Sequence, residues 1–214
     1  MNVIVVGANG QIGKQVTTLL HEHDDHEVTA LVRKEEQQKE LESKGIRSTL
    51  ADLEGSVDEL TEAVKGHDAV VFAAGSGGST GPDKTLLIDL DGAGKTVEAA
   101  KNAGVERFIM VSAIQANNRE NWGEKIRPYF VAKHYADKEV LQSGLNYTII
   151  RPGSLTNDEG TGKVSAASNL DRGDIPRADV AKTIVASISN AKTFNKSFDL
   201  VAGDHSVDDA LSNI

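Results

Sequence analysis

The sequence predicts a single α/β domain in which a parallel sheet is covered by helices on both faces. Three observations predict it. Short apolar runs alternate with helix-period segments along the chain. Those runs are continuously hydrophobic, as strands buried on both faces are. The length, 214 residues, suits one well-buried core and is short for two.

NVIVV (2–6) reads as the first strand, followed by three glycines and a helix with Ile12, Val16, Leu19 and Leu20 on one face. EVTALV (27–32) is the second strand. The charged stretch 34–45 is a surface helix stopped by a glycine. IRSTL (46–50) makes a third strand, 56–65 a small helix, and DAVVFAA (68–74) a fourth strand with a glycine-rich exit, GSGGSTG. A long helix over 83–103 precedes the fifth strand, VERFIMVSA (105–113). Helix 128–143 then leads into the sixth, NYTIIRPG (146–153). Residues 176–189 are helical and KSFDLVA (196–202) is strand-like. Loop 114–127 and segment 152–175 carry no clear periodicity. Both follow the C-terminal ends of strands, where such sheets place ligands, so they are expected to form the substrate region.

Composition narrows the function. A formal charge of −9 disfavours nucleic acid, and nine aromatic side chains leave little for base stacking. With no cysteine there is neither a disulfide nor a thiolate metal site. No run approaches the roughly 20 apolar residues of a membrane span. The first strand begins at Asn2, leaving no room for a leader, so a cytoplasmic protein is expected.

Gly7, Gly10 and Gly13 lie between a strand and an amphipathic helix. In that context they allow a tight turn, close approach of a pyrophosphate and close packing of helix on strand. The helix amides would face the anion. This predicts a Rossmann-like dinucleotide site, with Asn9, Gln11 and Ile12 of the same loop included. The second strand ends in LVRKEE, placing Arg33 and Lys34 where an NAD-selective site carries a carboxylate. NADP is therefore favoured over NAD; the alternative is that Arg33 pairs with the acidic helix beside it. Asp52 and Leu53 would meet the adenine, unless Asp52 caps the helix beginning near Ser56. Ala73, Ala74 and Gly75 end the fourth strand with the small side chains that passage close to a ribose requires.

GANGQIG, VFAAGSGG, RFIMVSA, YFVAK and YTIIRPG follow in order at the ends of successive elements. Together they resemble the atypical short-chain dehydrogenase/reductase superfamily, in particular its small epimerase/dehydratase-like members related to biliverdin-IXβ and flavin reductases. The resemblance implies a catalytic set of Ser112, Tyr129 and Lys133. Tyr129 and Lys133 are i and i+4 and share a helix face. A lysine ammonium there is expected to lower the phenol pKa from its ordinary value of about 10. Tyr135 is a rival, but residue 139 is Glu. The resemblance also implies that the Pro152–Gly153 backbone approaches the nicotinamide carboxamide. Arg177 and Asp179, at a late helix start, have an adequate structural explanation.

Other signals are weaker. HEHDDH (21–26) is dense in metal-ligand types but matches no ligand spacing. Asp89 and Asp91 are two apart and share no helix face. Trp122 either closes over a substrate or anchors its loop. The expected function is an NADP-dependent oxidoreductase of a small-molecule acceptor, a flavin or quinone fitting short loops best. The alternatives are a non-catalytic NADP-binding regulator or redox sensor, and an epimerase or dehydratase with retained NAD(P). A homodimer is the expected assembly.

Overall fold

The structure is a computed structural model and describes residues 1–23 and 25–214. One sheet dominates it. In chain order its first strands are β1 (Asn2–Val6), β2 (Glu27–Val32), β3 (Arg47–Leu50), β4 (Ala69–Phe72), β5 (Arg107–Val111) and β6 (Asn146–Pro152). Late in the chain come β7 (Ser154–Thr156), β8 (Lys163–Ala167), β9 (Asp174–Pro176), β10 (Lys196–Ala202) and β11 (His205–Ser206). Across the main sheet the order is β11-β8-β10-β6-β5-β4-β1-β2-β3. From β3 to β10 every pairing is parallel, while β8 runs antiparallel to both β10 and β11. Connections leave β1 towards β2 on one side and restart at β4 on the other. The crevice beside β1 and β4 is therefore the topological switch point.

β1 shows why the sheet must be covered twice. Val3 and Val5 enter one core, with Ile12, Val16 and Leu20 of α1 (Gln11–His21) and Val180 and Ile184 of α7 (Arg177–Ser187). Ile4 and Val6 enter the other. There they meet Leu60 of α3 (Val57–Val64), Val97 of α5 (Ala93–Asn102) and Val140 of α6 (Arg127–Gln142). α2 (Glu35–Glu42) has no fully buried residue, with Leu41 half-buried against the core, the surface helix its charge predicts. α3 is capped reciprocally: Glu59 N donates to Ser56 Oγ (3.2 Å), and Ser56 N to the Glu59 carboxylate (3.1 Å).

Two expectations are revised. The long helix over 83–103 is composite: α4 (Pro82–Lys84) widens into a π-helical stretch, Thr85–Gly92, before α5. The wider turns bring Gly92 so close to Leu53 that a Cβ there would lie 3.1 Å from the Leu53 Cβ. Segment 154–175 is not irregular. β7 and β9 form a small parallel pair, and β8 extends the main sheet. These strands have three to five residues and draw on backbone pairing more than on apolar runs. α8 (Val207–Ser212) closes the chain. Among the described residues, no helix is long and apolar enough to cross a membrane.

At the end of the sheet opposite the β-strand C-termini, Arg107 is buried and, among the described residues, has no carboxylate partner. Its guanidinium donates to Ser187 O, Ile188 O and Asn146 O and to the hydroxyls of Thr148 and Thr193, and lies 4.5 Å from the centre of the Phe194 ring. Carbonyls at the end of α7 thus receive the donors that a helix terminus lacks. Burial lowers its pKa to about 10.

Candidate functional site

The glycine loop spans the switch point. Gly7 has φ +86°, and a Cβ on it would fall 2.6 Å from the Ala74 Cα, so β1 and the exit of β4 meet with no room between them. A Cβ on Gly13 would run into the Gly7 carbonyl oxygen. At Gly10 a Cβ would meet only Gly7 O at 3.2 Å and Ala73 O at 3.9 Å, leaving the space above it open. Gly10 is the N-cap of α1, without side-chain capping and without an acid in the first turn. The positive end of the helix thus emerges between exposed Asn9 and Gln11. The Ile12 side chain is in the core, so its backbone alone is offered to a ligand.

Arg33 and Lys34 are exposed at the end of β2. Arg33 makes no ion pair among the described residues, so pairing with α2 does not explain it; Glu40 of α2 pairs with Lys44. Asp52 is exposed and does not cap α3, which Ser56 does. Its Oδ1 accepts from Glu54 N at 3.0 Å, closing a local turn. Leu53 is half-buried against Gly92, and Ala73 and Ala74 are half-buried beside Gly7.

Beyond β4 the sequence candidates converge. Ser112, 4% exposed at the end of β5, donates its N–H to Ile150 O, but its Oγ has no hydrogen-bond partner among the described residues. Lys133 is buried on α6; its Nζ donates to Val111 O at 2.8 Å and stands 3.7 Å from Asp89 Oδ1. The other Asp89 oxygen accepts from Ser76 N at 2.9 Å. Tyr129 is half-buried, its ring centre 5.9 Å from Lys133 Nζ. The expected lowering of its pKa is overturned: burial raises it above 10.0, Lys133 opposes this, and the Asp89 and Asp137 charges add to the rise. Tyr129 is a neutral phenol across the physiological range. Tyr135 is exposed, and its hydroxyl accepts from Arg119.

Sequence reasoning missed several members of the site. The sequence sets Asp89 and Asp91 aside as a carboxylate pair because they share no face, yet the partner of Asp89 is Lys133, and the π-helical stretch turns it inward while exposed Asp91 pairs with Lys95. Asp137, one turn beyond Lys133, forms a buried ion pair with Arg151 on β6 (2.8 Å). Arg151 lies in register with Asp199 on β10, whose carboxyl accepts from Leu170 N at 3.1 Å. Burial raises the Asp199 pKa, with Arg151 opposing. Five buried charged side chains therefore lie around the strand ends, three of them acidic. The i, i+4 spacing of Lys133 and Asp137 was the available signal.

Pro152 and Gly153 are engaged by the protein itself. Pro152 O accepts from Ile114 N, and Gly153 N donates to Leu200 O, both at 2.9 Å. A Cβ on Gly153 would strike Gly173 O. Gly153 is thus accounted for by packing, and its amide is not available to a carboxamide. Asp179 is buried and accepts from Thr161 N and Gly162 N, while Arg177 donates to Leu155 O and Asn157. Both hold segment 154–162 in place. In the His21–His26 stretch, Asp24 lies outside the described residues; among the described residues no three His, Cys, Asp or Glu side chains group to hold a metal.

A glycine loop on an uncapped helix at the switch point of a parallel sheet, with a buried Ser–Lys–Asp set across the crevice, defines a dinucleotide-binding protein of the Rossmann type. The family profile for NAD(P)H-binding proteins matches residues 7–191, and the chain belongs to that family. It is 58% identical to a Bacillus subtilis protein named "uncharacterized sugar epimerase YhfK", over the whole of both chains. A solved Bacillus halodurans structure described as an NAD-dependent epimerase/dehydratase superposes with a TM-score of 0.92 at 41% identity, covering 100% of each chain. A Veillonella parvula short-chain dehydrogenase/reductase solved with NADP shares the fold (TM-score 0.75, 19% identity, 96% of this chain and 97% of that one).

Proposed function

We propose that the chain is an NADP-preferring oxidoreductase that passes hydride between the nicotinamide and a small-molecule acceptor of the flavin or quinone type. The observation that carries the reading is the buried, unpartnered Ser112 Oγ, one residue beyond the carbonyl that fixes Lys133. A buried hydroxyl without a partner is costly, and a substrate oxygen would satisfy it.

When bound, the nicotinamide supplies the hydride chemistry. The chain does the rest. The α1 amides and the open face of Gly10 would receive the pyrophosphate. Arg33 and Lys34 would hold the 2′-phosphate by charge-assisted hydrogen bonds. Ser112 orients the acceptor oxygen, and Tyr129, kept neutral by burial, donates its proton to it. Lys133, fixed by Val111 O and Asp89, places a positive charge beside the phenolate that results.

The name of the Bacillus subtilis relative supports a second reading, sugar epimerisation with retained dinucleotide, in which Tyr129 would again move the proton. Calorimetric titration with NADPH and NADH at equal ionic strength tests the first. NADPH binds more tightly, and Arg33→Ala weakens NADPH by ~10- to 100-fold with little effect on NADH. Equal affinities in the wild type remove the NADP assignment. Product formation without net NADPH oxidation moves the function to epimerisation.

A further inference from the structure

We propose that Gln115 is the positioning residue that joins segment 114–127 to segment 154–175 as one rigid wall of the substrate pocket. The inference rests on the reading of this crevice as the substrate site.

The first sign is in the backbone. Gln115 has φ +63°, a left-handed conformation that a residue with a Cβ adopts only under backbone strain. Among the described residues the one other non-glycine with positive φ is Asn195, a type that tolerates it. Gln115 lies four residues beyond the end of β5, in the turn that follows it, and is 4% exposed.

Hydrogen bonds use nearly everything the residue offers. Nε2 donates to Asn169 Oδ1 (2.8 Å) and Leu170 O (2.7 Å), and Oε1 accepts from Asn121 Nδ2 (2.6 Å). The main-chain oxygen accepts from Asn118 N (3.0 Å) and from Trp122 Nε1 (3.2 Å). One side therefore grips segment 114–127 and the other grips segment 154–175. One further contact joins the same parts, Arg172 donating to Asn121 O, and Asp199 of β10 holds Leu170 N to the sheet.

What the junction holds is the surface next to the proton donor. Trp122 lies parallel to Phe130, ring centres 6.2 Å apart, with the His134 ring edge-on at 5.3 Å. Trp122, Phe130, Tyr129, Ala113 and Ala116 make a small apolar cluster separate from the two main cores. Arg172 lies 5.4 Å from the centre of the Phe130 ring. Loosening Gln115 frees Trp122 and the wall beside Tyr129, but touches neither the glycine loop nor Arg33.

Trp122 is the single tryptophan, so acrylamide quenching reports on this wall directly. Two variants serve. Gln115→Glu keeps the shape but turns acceptors towards Asn169 Oδ1 and Leu170 O. Gln115→Gly suits the positive φ while deleting the side chain, and so remains foldable if the first is not. Each is measured for quenching, NADPH affinity, and kcat and KM with menadione and FMN as probe acceptors. Quenching rises about twofold or more, KM rises about tenfold, kcat changes far less and NADPH affinity holds within about twofold, as the loss of several buried hydrogen bonds remote from the cofactor implies. Wild-type quenching and KM in Gln115→Gly overturn the proposal, as does a proportional loss of NADPH affinity, kcat and melting temperature. If the wild type turns over neither probe, the hydride-transfer reading fails with those acceptors, and quenching in Gln115→Gly alone decides the role of Gln115.

Discussion

Alanine at Gly10 and alanine at Gly13 should separate binding from folding. At Gly13 the new methyl group collides with the Gly7 carbonyl oxygen, a backbone atom that moves only if the loop or α1 moves. Overpacking of this kind costs about 2–3 kcal/mol. At Gly10 the methyl group has one neighbour at 3.2 Å and otherwise open space, so the cost is the poorer N-cap, about 0.5–1 kcal/mol. With a urea m-value of about 2–3 kcal/mol/M, Gly13→Ala lowers the unfolding midpoint by about 1 M and Gly10→Ala by less than about 0.5 M. Binding follows a different order. Gly10→Ala fills the space left for the pyrophosphate and weakens NADPH at least ~10-fold while remaining folded. Urea unfolding followed by far-UV circular dichroism, beside calorimetry, reads both. The reasoning is refuted if Gly13→Ala is as stable as the wild type, or if Gly10→Ala binds NADPH normally.

Three further outcomes are expected. Because burial holds the Tyr129 phenol above its usual value, acceptor reduction should be flat from about pH 6 to 9, and Tyr129→Phe should slow it ~10²- to 10⁴-fold; a wild-type rate falling through about pH 7.5 would assign proton donation elsewhere. Asp199 has a folded pKa above its unfolded value, so between the two the native state binds more protons and stability falls as pH rises. Asp199→Asn removes that cost: it should be at least as stable as the wild type at pH 7 in urea, with the advantage vanishing near about pH 4, and the opposite trend would show that Arg151 makes the carboxylate favourable. Arg107→Ala strands the carbonyls of Ser187, Ile188 and Asn146, costing about 3–5 kcal/mol and lowering the melting temperature by roughly 10 °C without weakening NADPH; an unchanged melt would refute the anchor.

The parallel strands were legible because each is an apolar run of uniform character, and EVTALV and KSFDLVA match β2 and β10 residue for residue. The glycine loop was legible because its spacing answers to steric limits that hold in any such turn. β7, β9 and β11 were not, since strands of two or three residues have no periodicity to read. Asp89 was hidden by the assumption of a regular helix, which says nothing of a partner on α6. Gln115 gave no signal because its role lies in a backbone angle and in donors from distant segments. Arg107 is in the sequence one residue of the run VERFIMVSA, and only the fold reveals that the end of α7 descends onto it.

The weld at Gln115 bears on how the protein can change over evolutionary time. Segment 114–127 and the turn at 168–173 are tied together by a few hydrogen bonds, whereas the pairing of β8 with β10, the helical layers and the Arg107 anchor depend on residues elsewhere. Loops held this way vary at small thermodynamic expense. A lineage retaining the glutamine and its left-handed turn can exchange the residues between its anchoring points, and so reshape this surface, while leaving the glycine loop and the sheet beneath it unchanged.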